Sequence, residues 1–232
     1  VSARQGAALF TNPLTALAMV ETLRFEGQTA LVHTAAASNL GKMLAKICAE
    51  DGLSLVAIVR RAEHVEALRS LGVRWICNSS EPSFDDDLHT ALVETGATIA
   101  FDAITGGNTA DKLVAAMERA AVVRSNDHSP FGSSTFKQVW TYGSLDPSPT
   151  ILTRRGFGMA WSVGGWAMPP VLARAGEQRY AELIHRIVSG ITTTFASDYA
   201  ATIPLTEMLS EEAMRGYTSL TTGGKFLIDP WA

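Results

Sequence analysis

The chain has 232 residues and a formal net charge of −4, with 47% hydrophobic and 18% charged residues. This composition is typical of a globular protein and excludes a disordered one. The longest basic runs are the pairs Arg60-Arg61 and Arg154-Arg155, so we do not expect nucleic acid as a partner.

Two cysteines are too few for a disulfide framework, and no apolar run reaches the roughly 18 residues that cross a bilayer. We therefore expect a cytoplasmic protein with no membrane partner. The first residues, VSARQGAALF, include neither an initiator methionine nor an apolar signal core. From this we expect the chain to be a piece of a longer protein.

Apolar runs and helical periodicities alternate along the chain. Asn12 would cap the helix turn that begins at Pro13. Ser38 or Asn39 would cap the helix after the first strand, and Gly52 would end it. Strands are predicted at 29–34, 53–59, 74–77, 98–104, 137–143 and 225–228, and helices at 7–23, 40–50, 62–71, 84–94, 109–121, 171–175, 178–189 and 207–217.

Four stretches lack these patterns. We predict a loop over 123–134, an irregular stretch over 144–150, a glycine- and tryptophan-rich loop over 156–170 and an extended segment over 192–203. The strands before them read as buried on both faces and alternate with helices. The sequence therefore predicts one α/β domain, a Rossmann-like doubly wound parallel sheet with helices on both faces.

The turn after the first strand is the main candidate site. Ala35 to Asn39 are all small, and Gly41 would let the helix pack closely on the strand. The start of a helix attracts a phosphate when small side chains let it approach the backbone. The alternative is an ordinary tight turn that binds no nucleotide. A P-loop is excluded because Ala36 and Met43 stand where that motif needs Gly and Ser or Thr.

The end of the second strand indicates which nucleotide would fit. A carboxylate there would bind the ribose hydroxyls of NAD, whereas arginine accommodates the 2′-phosphate of NADP. Arg60 and Arg61 follow this strand, and the next acid is Glu63. NADP is therefore favoured over NAD, and a solvated pair of loop arginines is the alternative.

Several landmarks stand in the order found in one enzyme superfamily. They are the stretches NPLTA at 12–16, AAASNLG at 35–41, EALRSLGV at 66–73, FDA at 101–103 followed by Gly106-Gly107, the pair Tyr142-Gly143, and GKFLI at 224–228. The sequence resembles the cofactor-binding domain of the medium-chain dehydrogenase/reductase superfamily, especially its zinc-independent quinone oxidoreductase and enoyl reductase branch.

The resemblance implies a single NAD(P)-binding domain over 1–232 that takes part in hydride transfer from NADPH to a small-molecule quinone, enone or enoyl substrate. It implies a lead-in helix over 1–27 and a segment, 192–232, that returns to an absent N-terminal substrate-binding domain. The family's acid lies in that absent domain, so the catalytic residue is unknown and this chain alone should be inactive. The implied cofactor-binding residues are Thr15, Ala37, Ser38, Asn39, Leu40, Gly41, Arg60, Arg61, Asn78, Gly106, Gly107, Tyr142, Gly143 and Lys225.

The resemblance also implies a homodimer, with the stretch 157–166 lining the substrate pocket or the dimer edge. Core packing or a face for self-association is the simpler interpretation of that stretch, ahead of direct contact with substrate. Ser38-Asn39 replaces two family glycines, so a pyrophosphate must tolerate their side chains, whose hydroxyl and amide could donate to it. Thr11 stands where zinc-dependent relatives carry a cysteine, so we expect no zinc.

Other patterns are weaker. Ser134 and Lys137 have S-x-x-K spacing without the accompanying elements of that motif, which favours a polar loop entering a strand. No tyrosine is followed four residues later by lysine, which excludes a short-chain dehydrogenase. His33 is near enough to the turn for a role, although a satisfied core histidine is the simpler interpretation. The alternative function is a non-catalytic Rossmann-like dimerisation or regulatory module.

Overall fold

Strands and helices alternate along the chain as the sequence predicts. The computed structural model describes residues 1–125, 129–218 and 225–232. The strands in these ranges are β1 (Ala30–His33), β2 (Ser54–Val59), β3 (Trp75–Asn78), β4 (Ile99–Asp102), β5 (Thr105–Gly107), β6 (Lys137–Thr141), β7 (Asp146–Thr150), β8 (Trp161–Gly165), β9 (Tyr199–Pro204) and β10 (Lys225–Asp229). The helices are α1 (Ala3–Gly6), α2 (Thr11–Phe25), α3 (Asn39–Asp51), α4 (Ala62–Arg69), α5 (Phe84–Thr95), α6 (Thr109–Ser125), α7 (Met168–Ser189) and α8 (Glu211–Thr218).

Six strands form one parallel sheet in the order β3-β2-β1-β4-β6-β8. The order reverses at β1, whose neighbours are β2 on one side and β4 on the other. This confirms the predicted α/β fold with a doubly wound parallel sheet. The point of reversal opens a crevice at the carboxyl ends of β1 and β4, where such sheets bind ligands.

Helices cover both faces of the sheet. Leu31 and Phe101 face a core shared with α2, α3, α4 and α7, whereas Val32 and Ala100 face a core shared with α5 and α6. Successive strand residues point to opposite faces, so two cores require strands that are apolar at every position. Burial of the strands on both faces of the sheet therefore explains the continuous apolar runs in the sequence.

The predicted first helix is wrong in its details. Of the range 7–23, only the part from Thr11 onward is helical and belongs to α2, because α1 ends before Ala7, and Asn12 lies inside the first turn of α2 rather than at its cap. Phe10 holds the cap position and makes no side-chain hydrogen bond there. The α3 prediction is confirmed: Ser38 is its N-cap, and Gly52 ends it in a left-handed conformation at φ 67°.

Three strands, β5, β7 and β8, lie where the sequence predicted none. The stretch 144–150 contains β7, which pairs with the short β5 in a small parallel sheet. Pro147 and Pro149 are tolerated because this strand has a neighbour on one side only. The stretch 156–170 contains β8, which pairs with β6 and ends the large sheet. The strand was not predicted because it ends in Gly164 and Gly165, and glycine is uncommon in strands.

The carboxyl-terminal part of the chain contains the two helices predicted at 171–175 and 178–189. They meet within α7 at a kink, where Gly176 takes φ 83°. β9 and β10 pair in parallel in a separate two-stranded sheet. The predicted loop over 123–134 begins later because α6 continues to Ser125, and its residues 126–128 lie outside the described ranges. None of the helices in the described ranges is long and apolar enough to cross a membrane.

Candidate functional site

The carboxyl ends of all six parallel strands lie along one edge of the sheet. The turn 35–41 follows β1, Arg60 and Arg61 follow β2, and Asn78 ends β3. Gly106 and Gly107 follow β4, and Tyr142 and Gly143 follow β6. The topology thus brings most of the predicted cofactor-binding residues to one edge.

The turn after β1 is held tightly by its backbone. The Ala36 amide donates to the Ile58 carbonyl at 3.1 Å, and Ala35 takes a positive φ of 51°. A Cβ on Gly41 would lie 2.2 Å from the Ala36 carbonyl oxygen, so only glycine fits there. Ala36 and Ala37 are buried, as is Leu40 in the first turn of α3.

The two side chains that replace glycines both have partners. The Ser38 hydroxyl accepts a hydrogen bond from the Gly41 amide at 3.1 Å. The Asn39 amide donates to the Ser197 hydroxyl at 3.1 Å and so ties the turn to the segment before β9. The Asn39 amide has a second proton besides the one it gives to Ser197, and the Ser38 hydroxyl accepts from Gly41 without using its own proton, so both side chains keep a proton to donate to a pyrophosphate.

A buried carboxylate shapes the loop after β4. Asp102 is fully buried and accepts from the Thr34 hydroxyl at 2.8 Å and from the amides of Ile104 at 2.9 Å and Thr105 at 3.1 Å. The Thr34 hydroxyl in turn accepts from the Ala103 amide at 2.8 Å. These bonds fasten the loop that carries Gly106 and Gly107 to the end of β1.

The loops after β4 and β6 also run together. The Thr105 hydroxyl donates to the Gly143 carbonyl, and the Leu145 amide donates to the Ala103 carbonyl at 3.1 Å. A Cβ on Gly143 would lie 2.8 Å from the Ala103 carbonyl oxygen, and Gly107 has a positive φ of 67°. Close approach of the two backbones explains glycine at 143, and the positive φ explains it at 107.

His33 and Tyr142 connect β1 to the end of β6. His33 Nε2 lies 2.7 Å from the Tyr142 hydroxyl, and the two rings stack with their centroids 5.8 Å apart. Burial lowers the pKa of His33 to about 3, so its ring is neutral. Burial and then the nearby Asp102 carboxylate raise the pKa of Tyr142, so its phenol stays protonated. We call His33, Thr34, Asp102 and Tyr142 the carboxyl-edge cluster.

Thr15 lies beside this cluster through α7. Its hydroxyl is 3.9 Å from the sulfur of Met168, the first residue of α7, and Thr15 is buried. Trp166, just before α7, stacks edge-on against Tyr142 and donates its indole N–H to the Thr22 hydroxyl at 3.1 Å. Through Thr15 and Thr22, α2 is thereby held against the segment that joins β8 to α7.

The predicted 2′-phosphate residues form a separate, exposed group. Arg60 and Arg61 are both exposed, and Arg61 pairs with Glu63 at 3.4 Å. Within the described ranges the Arg60 guanidinium has no acidic partner, while the Arg60 carbonyl accepts from the Ser80 hydroxyl at 2.8 Å. The Asn78 side chain accepts from the Ser80 amide at 3.1 Å and so shapes its own turn.

Lys225 is the predicted residue that lies apart from this edge. It begins β10 in the separate two-stranded sheet, opposite Tyr199, and burial lowers its pKa. Gly224, the first residue of the GKFLI stretch, lies outside the described residues.

Sequence reasoning missed Thr34 and Asp102 as site residues and undervalued His33. The signal was polar residues at the ends of otherwise apolar strands, at the edge where parallel sheets place ligands. No group of three or more potential metal ligands occurs in the parts of the chain that the structure describes.

Comparison with solved structures identifies the architecture. The chain matches a candidate NADPH:quinone reductase from Mesorhizobium loti at 27% identity and a TM-score of 0.76, over 99% of this chain and 61% of that one. The chain has the fold of the cofactor-binding domain of medium-chain dehydrogenases and reductases. The predicted resemblance to that superfamily is thereby confirmed.

Two further medium-chain relatives match over almost the whole chain. One is a candidate NADPH:quinone reductase from Bacillus thuringiensis, at 18% identity and a TM-score of 0.75, over 100% of this chain and 65% of that one. The other is a mutant form of enoyl thioester reductase from Candida tropicalis, at 17% identity and a TM-score of 0.68, over 98% of this chain and 62% of that one. The chain thus spans 61% to 65% of the length of these relatives. No protein-family model and no curated protein matches the sequence.

Proposed function

We propose that this chain is the cofactor-binding domain of a zinc-independent, NADPH-dependent oxidoreductase that transfers hydride to a quinone, enone or enoyl-type acceptor. One observation carries the proposal: hydrogen bonds join the loops after β1, β4 and β6 around the point where the strand order reverses. That crevice is where doubly wound sheets bind dinucleotides. The relatives described as NADPH:quinone reductases and an enoyl thioester reductase support the choice of reaction.

The residues present fit a dinucleotide phosphate. The first turn of α3 and the Ser38 hydroxyl would hold the pyrophosphate, next to small, buried side chains that let it approach the backbone. Arg60 is exposed and has no acidic partner in the described ranges, which suits a 2′-phosphate. The absence of an acid before Glu63 removes the group that would select NAD.

At the nicotinamide end of the cofactor, Gly107 and Gly143 would let the backbone approach the ring. Thr15 would border the ring from α2. The nicotinamide supplies the hydride when the cofactor is bound. The chain's own contribution is to orient the ring and to exclude water, because the carboxyl-edge cluster fixes both loops in advance. We propose no catalytic acid within the chain.

The remaining length of the relatives supports a two-part protein. We propose that a substrate-binding domain precedes this chain, that 1–27 leads in from it, and that 192–232 returns to it. On this proposal the chain alone does not turn over substrate. We further propose a homodimer joined along the exposed edge of β8, because an edge strand presents unpaired backbone groups.

Binding of NADPH tests the proposal directly. We expect a dissociation constant in the micromolar range by fluorescence or calorimetry, and weaker binding of NADH. Failure of the full-length protein to bind NADPH would refute the proposed function.

The second candidate is a non-catalytic Rossmann-like module. It is favoured by the hydrogen bond from Asn39 to Ser197, which occupies a side chain at the nucleotide turn with a partner from the chain itself. The same titration decides between the two, because a module of this kind would bind no NADPH while keeping its fold and its dimer.

A further inference from the structure

The Tyr142 hydroxyl has one recorded partner among the described residues, and that partner is His33. The two atoms, Tyr142 Oη and His33 Nε2, are 2.7 Å apart. Either atom can be the donor in this bond, depending on which His33 nitrogen carries the proton. The function of Tyr142 depends on whether its hydroxyl donates or accepts this hydrogen bond.

The other nitrogen of His33 decides the direction of the bond. His33 Nδ1 is buried and has no hydrogen-bond partner in the part of the chain that the structure describes. Buried N–H groups without an acceptor are rarer than buried acceptors without a donor. The proton therefore belongs on Nε2, where it has an acceptor, and His33 donates to the Tyr142 oxygen. The phenol's own proton is then left without an acceptor within the described chain.

We propose that Tyr142 donates this proton, in a hydrogen bond, to the carboxamide oxygen of the bound nicotinamide, and that His33 is the positioning residue that turns the hydroxyl toward it. This inference rests on the proposed function, because it places the nicotinamide at the ends of β4 and β6. On this proposal Tyr142 contacts the nicotinamide end of the cofactor and makes no contact with the 2′-phospho-ADP-ribose end.

Three features of the surroundings support the assignment. The ring of Tyr142 is fixed between His33, on which it stacks, and the edge of Trp166, so its hydroxyl has little freedom. The carbonyl of the next residue, Gly143, is held by the Thr105 hydroxyl. The carboxylate of Asp102 disfavours the phenolate form, which keeps Tyr142 a donor.

The direction of the bond can be observed by NMR. Long-range ¹H–¹⁵N correlation on the ¹⁵N-histidine-labelled chain at neutral pH should show His33 protonated at Nε2 and unprotonated at Nδ1. A proton on Nδ1 would make Tyr142 the donor to His33 and would overturn the proposal. This measurement requires no cofactor.

The contact is tested by comparing two nucleotides. Tyr142→Phe should weaken binding of NADPH about three- to tenfold, the effect of losing one neutral hydrogen bond. It should leave 2′-phospho-ADP-ribose, which lacks the nicotinamide, bound as tightly as by the wild type. Tyr217→Phe is the matched control, because it removes a phenol on α8 that donates to the Met208 carbonyl, away from the carboxyl-edge cluster.

His33 provides a rescue experiment. His33→Leu should weaken NADPH as Tyr142→Phe does, whereas His33→Gln, whose amide can donate, should recover most of the affinity. Melting curves establish that each variant is folded. Equal affinities of wild type and Tyr142→Phe for NADPH, or equal weakening of both nucleotides, would contradict the role of Tyr142. If the wild type binds neither nucleotide, the proposed function fails, and the inference fails with it.

Discussion

The carboxyl-edge cluster and a second buried cluster at the opposite edge of the sheet use polar groups in different ways. The second, which we call the amino-edge cluster, consists of Glu118, Ser133 and Lys137, all at most 5% exposed. Glu118 pairs with the Lys137 ammonium and accepts from the Ser133 amide and hydroxyl, both at 2.6 Å. In the carboxyl-edge cluster, by contrast, His33 Nδ1 has no hydrogen-bond partner among the described residues.

Glycines close the amino-edge cluster. A Cβ on Gly132 or Gly158 would lie 2.5 or 2.4 Å from a Glu118 oxygen, so backbone fills the space around the carboxylate. Within the described residues each charge of this cluster has its partner, and the backbone packs closely around the carboxylate. The comparison teaches that burial of a polar group does not by itself indicate a ligand site. Hydrogen-bonding capacity that the protein leaves unused is the stronger indication.

The largest expected effect is the loss of the amino-edge ion pair. Glu118→Gln would leave the fully buried Lys137 ammonium without its counter-charge, and we expect the free energy of unfolding to fall by about 3–5 kcal/mol. Urea denaturation measures it. Glu94→Gln, which removes the exposed partner of Arg74, should cost at most about 1 kcal/mol.

The same variant sharpens the comparison, because its affinity for NADPH should stay at the wild-type value while its stability falls. The double variant Glu118→Met/Lys137→Met should regain part of the loss, since it leaves no buried charge. A Glu118→Gln cost no greater than that of Glu94→Gln would show that the pair is not desolvated.

The second prediction concerns pH. His33 has an ordinary pKa of 6.5 and a folded-state pKa of about 3, so between these values the unfolded chain binds a proton that the folded chain does not. Stability should therefore fall as the pH is lowered from 6.5, by up to about 1.4 kcal/mol for each pH unit. Glu118 affects stability at lower pH. Burial raises the pKa of its carboxyl group, but the hydrogen bonds from Lys137 and Ser133 outweigh this effect and hold the pKa below 4.5. The stability that Glu118 contributes is therefore lost as the pH falls through that lowered value.

His33→Gln should flatten the stability profile between pH 6.5 and 4.5 and leave the fall below that range in place. Chemical denaturation at half-unit steps of pH measures both profiles. An unchanged slope in this variant would mean that His33 is already protonated in the folded chain, contrary to its burial.

The third prediction concerns Thr34, whose hydroxyl donates to Asp102 and accepts from the Ala103 amide. Thr34→Val keeps the shape and removes both bonds, so we expect a loss of about 1–3 kcal/mol in the free energy of unfolding. NADPH affinity should fall as well, because Asp102 also holds the amides of the loop that carries Gly106 and Gly107.

Thr95→Val is the matched control for this variant. The Thr95 hydroxyl donates to the Ala91 carbonyl at 2.7 Å and accepts from the Ala97 amide at 3.3 Å, at the end of α5. It should lose stability without losing NADPH affinity. Equal affinities in the two variants would show that the Thr34 bonds support the fold alone.

The sequence predicted the large sheet well because its strands are apolar at every position and alternate with capped helices. It failed at β7 and β8, where prolines and glycines are acceptable only because the strands lie at edges, which is a tertiary property. The carboxyl ends of the strands could be found from topology alone. The Thr34–Asp102 and His33–Tyr142 hydrogen bonds could not, because the two partners are 68 and 109 residues apart in the chain.

The smallest expected effect separates binding from folding altogether. Arg60 is exposed and its guanidinium has no acidic partner in the described ranges, so Arg60→Ala should leave stability unchanged. If Arg60 binds the 2′-phosphate, NADPH binding should weaken by about 1–3 kcal/mol, the effect of a charge-assisted hydrogen bond, while NADH binding hardly changes. Arg155→Ala, in the other exposed arginine pair, should change neither affinity. NADH has no 2′-phosphate. Equal weakening of NADPH and NADH binding by Arg60→Ala would therefore refute the proposed contact between Arg60 and that phosphate.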